Sequence, residues 1–114
     1  MFTIYHNPKC AKSRAGLNYI KEKGLEYQVI EYMKDILSRK ELKDLLMKLN
    51  KSPKEIIRTQ EDVYKEKFRG KNFTDEEWIT ILIENPKLIQ RPIVVTGYKA
   101  ILAQPADEID RLLM

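Results

Sequence analysis

Residues 4–14 read IYHNPKCAKSR, and this stretch holds the only cysteine and the only histidine of the chain. A short apolar run ends at His6, Asn7-Pro8 is a turn signal, and the pattern becomes helical from Cys10 onward. The spacing predicts a strand over residues 3–6 and a helix over residues 10–23, with Leu17 and Ile20 inward and Gly24 as the stop. Leu25, Tyr27 and Val29 alternate, which predicts a second strand ending near Tyr32. Strand, helix and strand in that order make two parallel neighbours. Cys10 therefore falls at the N-terminus of the connecting helix. It is either a nucleophile held there or a small apolar filler behind a turn.

Downstream, Ser38 with Glu41 forms a capping box ahead of Leu42, Leu45, Leu46 and Leu49 at helical spacing. Ser52-Pro53 with Glu55 opens a short helix. Thr74 with Glu77 is a third box, ahead of Trp78 and Leu82, and Asn85-Pro86 ends that helix. Residues 93–95 and 98–102 flank Thr96-Gly97 as an antiparallel hairpin. Pro105 opens a C-terminal helix with Ile109, Leu112 and Leu113 on one face. The order is βαβ, a helical insertion at about residues 36–88, then ββα. It predicts an α/β thioredoxin-like fold with a four-stranded mixed sheet, one domain over residues 1–114.

Composition bounds the function. The chain has 114 residues, 43% hydrophobic and 33% charged, which suits a globular protein. A domain of this size buries roughly 65% of its unfolded surface, enough for a core without staples. One cysteine makes no internal disulfide, and the N-terminal MFTIYHNP has no signal-peptide pattern. No apolar run approaches a membrane span. A cytoplasmic protein with no membrane association is expected. The net charge of +4 is modest. Lys65, Lys67, Arg69 and Lys71 alternate with Tyr64 and Phe68, a pattern that can bind nucleic acid. Glu61, Asp62, Glu66, Asp75, Glu76 and Glu77 neutralise the region, so it reads as a solvated helix face with no direct nucleic-acid partner.

At a helix start the first-turn N–H groups have no intrahelical acceptor and point at whatever anion lies there. Lowering a thiol pKa from ~8.5 to ~6.5 raises its thiolate share at neutral pH from about 3% to about 75%, a shift worth about 2.7 kcal/mol. A helix terminus supplies typically about 0.3–1 kcal/mol. Donors and positive charge must supply the rest. Ser13, one turn on, can donate to the sulfur; His6 can contribute a hydrogen bond or a proton; Lys9, Lys12 and Arg14 add positive field.

The segment YHNPKCAKSR resembles the active-site segment of the thioredoxin-fold arsenate reductases that use glutathione and glutaredoxin. The resemblance extends over essentially the whole chain. Arg58, in EIIRT, falls where that family has a helix-borne arginine. Arg91, in LIQRPIVV, falls where it has an arginine before a proline, and the resemblance implies that Pro92 is cis. It further implies Cys10 as the nucleophile on arsenic, Arg58 and Arg91 as oxyanion ligands, and His6 and Ser13 as thiolate support. Glutathione would be co-substrate and glutaredoxin the partner, with no bound cofactor and no metal. An arsenate dianion repels a thiolate, and two guanidinium groups with a helix terminus reverse that sign.

The chain departs from the family at LAQPAD, where Gln104 stands in place of a third arginine. A missing guanidinium could cost about 2–3 kcal/mol of transition-state stabilisation. Lys12, Arg14 and Lys99 are candidate replacements for its charge, and Gln104 can still hydrogen-bond an oxyanion. Two other readings remain open. The Spx-type regulators of the same superfamily bind the RNA polymerase α subunit, many through a Cys-x-x-Cys switch that Ser13 precludes here. A monothiol glutathione-dependent oxidoreductase would use Cys10 without an arginine clamp.

Overall fold

β-branched and aromatic residues fit a pleated, half-buried surface, and they fill most positions in three of four short extended runs of this chain. In the computed structural model, which describes residues 1–113, these runs are β1 (Phe2–Tyr5), β2 (Tyr27–Ile30), β3 (Ile93–Thr96) and β4 (Lys99–Leu102). They form one mixed sheet in the order β2-β1-β3-β4. β1 pairs parallel with β2, Tyr5 against Ile30, and antiparallel with β3, Tyr5 against Ile93. β3 pairs antiparallel with β4, Ile93 against Leu102. This is the expected thioredoxin-like order.

Two compact units contain these elements: Met1–Asp35 together with the chain from Arg91 onward, and Ile36–Gln90. In the first, helix α1 (Ala11–Glu22) joins β1 to β2. Ile4, Ile20, Val94, Ala103 and Ile109 form its buried core, with Leu17, Tyr27 and Leu112 packed against them. The Tyr19 hydroxyl donates to Asp110 Oδ1 at 2.7 Å, tying α1 to the C-terminal segment. α1 stops where Gly24 adopts φ +68°, the left-handed conformation that glycine takes most readily.

In the second unit, α2 (Arg39–Leu49) and α4 (Asp75–Glu84) carry the capping boxes at Ser38/Glu41 and Thr74/Glu77. A 3₁₀ turn (Pro53–Ile56) carries the Ser52/Glu55 box, and α3 (Asp62–Lys67) lies between. Leu42, Leu45, Leu46 and Leu49 are all buried. The Glu76 carboxylate receives both Arg39 (2.6 Å) and Lys43 (2.7 Å), which joins α2 to α4. Phe68 and Phe73 pack against Trp78 at ring-centroid distances of 6.2 and 4.9 Å. The aromatic residue within the basic run thus supports the core of this unit.

Several boundaries differ from the sequence reading. Val29, which alternates with Leu25 and Tyr27 in the sequence, is exposed on the edge strand β2. The hairpin loop is Gly97-Tyr98, because Thr96 pairs with Lys99 and Gly97 takes φ +58° at the first loop position. The C-terminal helix is a 3₁₀ helix (Ala106–Leu112). At three residues per turn Ala106, Ile109 and Leu112 share a face, so Leu113 is left exposed.

Gly16, buried in α1, packs on Pro92: a Cβ built on it would lie 2.6 Å from Pro92 Cγ. The proline ring is stiff and cannot swing aside. Gly16→Ala is therefore expected to lower stability by about 1–3 kcal/mol, the overpacking term exceeding the helix-propensity gain. A urea titration reads this as a lower midpoint at unchanged slope, and an unchanged or higher midpoint would refute the contact.

Candidate active site

The backbone between β1 and α1 is held by its own polar groups. The Asn7 carbonyl accepts from the Cys10 N–H at 3.0 Å, and Asn7 Oδ1 accepts from the Lys9 N–H at 3.0 Å. The Arg14 guanidinium donates to the Pro8 carbonyl at 2.9 Å and clamps the outside of the turn. Cys10 is the half-buried N-cap of α1, in extended conformation, and its carbonyl accepts from the Arg14 N–H.

Three helical segments of this chain close their N-termini with Glu at the third position. α1 has Ser13 there and no acidic residue in its first turn. Ser13 is fully buried and turns toward the strand end instead. Its Oγ accepts from the Asn7 N–H at 2.9 Å and lies 2.7 Å from His6 Nδ1. Ser13 thus couples to Cys10 through this loop, and its bonds run to His6 and Asn7. A neutral Nδ1 accepts the one Ser13 proton; a protonated Nδ1 donates to Oγ and releases that proton for another acceptor.

Burial holds the His6 pKa below its ordinary value of 6.5, and the charges of Arg14 and Lys21 act in the same direction. Glu31 and the bond with Ser13 oppose that shift. The strand register explains Glu31: Ile30 pairs with Tyr5, so the next residue of each strand, Glu31 and His6, leaves the sheet at the same end. The His6 N–H is bonded to the Ile30 carbonyl at 2.9 Å.

β3 runs antiparallel to β1, so its start lies at this same end. Arg91, two residues before β3, is buried, and the Arg91–Pro92 bond is cis, as the resemblance implied. β4 finishes here too, which brings Gln104 into the group. Gln104 Nε2 donates to the Arg91 carbonyl at 2.5 Å. A cleft of about 510 Å³ opens beside it, lined by Lys12, Ala15, Ala103, Gln104, Pro105 and Ala106.

One sheet end therefore gathers Cys10, His6, Ser13, Arg91, Pro92 and Gln104, with Lys12 at the cleft. Arg58 belongs to the other unit and is not helix-borne: it follows the 3₁₀ turn on extended backbone, where Ile57 bridges Ile89. Its N–H donates to the Leu88 carbonyl at 2.7 Å, and its Nε lies 3.7 Å from Glu61 Oε2. Lys99 stands at the other end of β4, beside the hairpin loop, away from this group. Sequence reasoning missed Asn7, Glu31, Gly16 and a second cis bond, Gln104–Pro105. The Asn-Pro pair was a visible turn signal, but its bonds to Lys9 and Cys10 depend on geometry.

The four-stranded mixed sheet, with a helix starting at a cysteine and a cis-proline before β3, defines a thioredoxin-like protein. The ArsC family model matches residues 5–112, and the chain belongs to that family. It is 34% identical over 112 residues to an arsenate reductase of Neisseria meningitidis, covering 96% of each chain. It is 41% identical over 108 residues to the uncharacterized protein YfgD of Escherichia coli (strain K12), covering 93% of this chain and 91% of that one. The structure of an arsenate reductase from Vibrio cholerae superposes with a TM-score of 0.91 at 37% identity, over 96% of this chain and 95% of that one. Among the described residues no helix is long and apolar enough to cross a membrane, and no cluster of His, Cys, Asp and Glu could hold a metal ion.

The lowered His6 pKa has a consequence for stability. The unfolded imidazole protonates near 6.5 and the folded one only below that, so the unfolded state binds more protons as pH falls. The stabilisation is complete above 6.5 and is lost as pH falls through the lower folded value. The thermal midpoint is expected to drop between about pH 7 and about pH 5, and His6→Gln to flatten that slope. Equal slopes in the two proteins would exclude His6 as its source.

Proposed function

We propose that this protein is an arsenate reductase in which the Cys10 thiolate attacks arsenic. The observation that carries this reading is the convergence of Cys10, at an N-terminus without an acidic cap, and buried Arg91 on one end of the sheet. Family membership and arsenate reductases among the full-length relatives support it.

In this scheme the first-turn N–H groups of α1 and the Arg91 guanidinium hold the oxyanion. The thiolate displaces hydroxide from arsenic(V), the hydroxide takes a proton and leaves as water, and an S–As bond forms. A second thiol must come from outside because the chain has one cysteine. Glutathione is that thiol here. Its thiolate attacks the Cys10 sulfur, an S–S bond forms, and the electron pair of the S–As bond stays with arsenic, which departs as arsenic(III). A further thiol, through glutaredoxin, reduces the mixed disulfide and restores Cys10. The setting is the reducing cytoplasm. Ser13 and His6 hold the loop that presents the sulfur; Arg14, committed to the Pro8 carbonyl, shapes the loop and contributes charge at a distance. The regulator and monothiol readings give Arg91 no role.

In an assay coupled to glutathione, glutaredoxin and a nicotinamide-reducing system, Cys10→Ser is expected to abolish arsenate-dependent turnover. Arg91→Ala should lower kcat/KM about 10²-fold, as expected for loss of a charged donor to the transition state. Absence of turnover in the unmutated protein would sink the reductase reading. The alkylation rate of Cys10 against pH supplies an independent check, with a midpoint expected well below the ~8.5 of an ordinary thiol.

A further inference from the structure

The bonds beyond the β3–β4 ladder point to a role for Gln104 that differs from that of an anion ligand. The ladder's last pair is Ile93 with Leu102. Past it the chain has two prolines, Pro92 and Pro105, and neither has an N–H to donate. One backbone bond continues the pairing, from the Ala103 N–H to the Pro92 carbonyl at 3.0 Å. The next is made by a side chain: Gln104 Nε2 donates to the Arg91 carbonyl at 2.5 Å. The Gln104 backbone is itself fixed, its N–H bonded to the Leu102 carbonyl at 2.9 Å.

We propose that Gln104 is a positioning residue for Arg91: its amide fixes the Arg91 carbonyl and thereby the direction in which the guanidinium leaves the backbone. The proposal rests on the reading of Arg91 as an oxyanion ligand. Chemistry separates it from direct anion binding. With one N–H on a carbonyl, the amide retains one donor and an acceptor oxygen, and the oxygen repels an anion. A peptide carbonyl is a neutral acceptor that an amide suits well. Gln104 also walls the cleft, so direct contact with a bound ligand is the rival role that the test must separate.

The test reads the field at Cys10 and needs no turnover. The rate of alkylation of Cys10 by iodoacetate, divided by that with neutral iodoacetamide, reports positive charge aimed at the sulfur. Arg91→Ala should lower this ratio, and Gln104→Met, similar in length but without a donor, should lower it about 3-fold or more. The double variant should be no lower than Arg91→Ala alone, because residues acting through one another are non-additive. Effects that multiply in the double variant would overturn the proposal, as would an unchanged ratio in folded Gln104→Met. Should that variant not fold, the unmutated protein answers: a scalar coupling across the hydrogen bond from Gln104 Nε2 to the Arg91 carbonyl is expected by NMR, and its absence overturns the tether. Protection of Cys10 by added arsenate is scored separately. Its failure would remove arsenate as the ligand and leave the alkylation ratios to decide on Gln104.

Discussion

The hydroxyl of Ser13 is the constraint on which the active end of this fold depends. One buried oxygen accepts from the Asn7 N–H and meets His6 Nδ1, so the end of a strand and the first turn of a helix are fastened at a single atom. A buried polar atom left without partners would cost about 1–3 kcal/mol, so this knot resists any shift of the loop. Cys10 lies inside the closed segment, between Asn7 and Ser13. Its backbone is therefore tied on both sides by the bonds of Asn7 and Ser13. The backbone that carries the sulfur is thereby held in place.

The same oxygen explains why α1 begins differently from its neighbours. Elsewhere the chain satisfies first-turn N–H groups and complements the helix dipole with Glu41, Glu55 and Glu77. A glutamate at position 13 would place a carboxylate beside the proposed oxyanion site, and its charge would disfavour a thiolate at Cys10. Serine at that place meets the need for a tie without adding charge.

How much of this was legible in the sequence depended on the range of the interaction. Capping boxes, the leucines at 42, 45, 46 and 49, and the stop at Gly24 are local, and all appear in the structure. The thioredoxin-like order followed from them because a strand–helix–strand unit leaves few topologies. Errors arose where period or register is weakly specified in short elements. Leu113 was counted at the α-helical period although the segment has three residues per turn, and the hairpin loop lay one residue later than Thr96-Gly97. Cys10, His6 and Ser13 were found because eight consecutive residues of one motif carry them. Arg91 and Pro92 required the family resemblance. Gln104 was noticed as a missing charge, whereas its bond to Arg91 spans thirteen residues and exists only once β3 and β4 pair.

That bond changes how the missing arginine is understood. A substitution of Arg by Gln in an anion site, taken alone, is a loss of charge that other cations must replace. The candidates here are limited in distinct ways. Arg14 is bound to a carbonyl on the outer side of the loop, Lys99 lies at the other end of β4, and the Arg58 Nε faces Glu61. Lys12 lines the cleft together with Gln104. A site with fewer charges depends more on how well each is aimed, because misdirection of a guanidinium by about 1 Å can cost about 10²-fold in rate. Fixing the Arg91 carbonyl through Gln104 acts on aim where an additional arginine would act on charge. The substitution is then coherent with the rest of this end of the sheet, where Ser13 likewise orders the backbone without contributing charge.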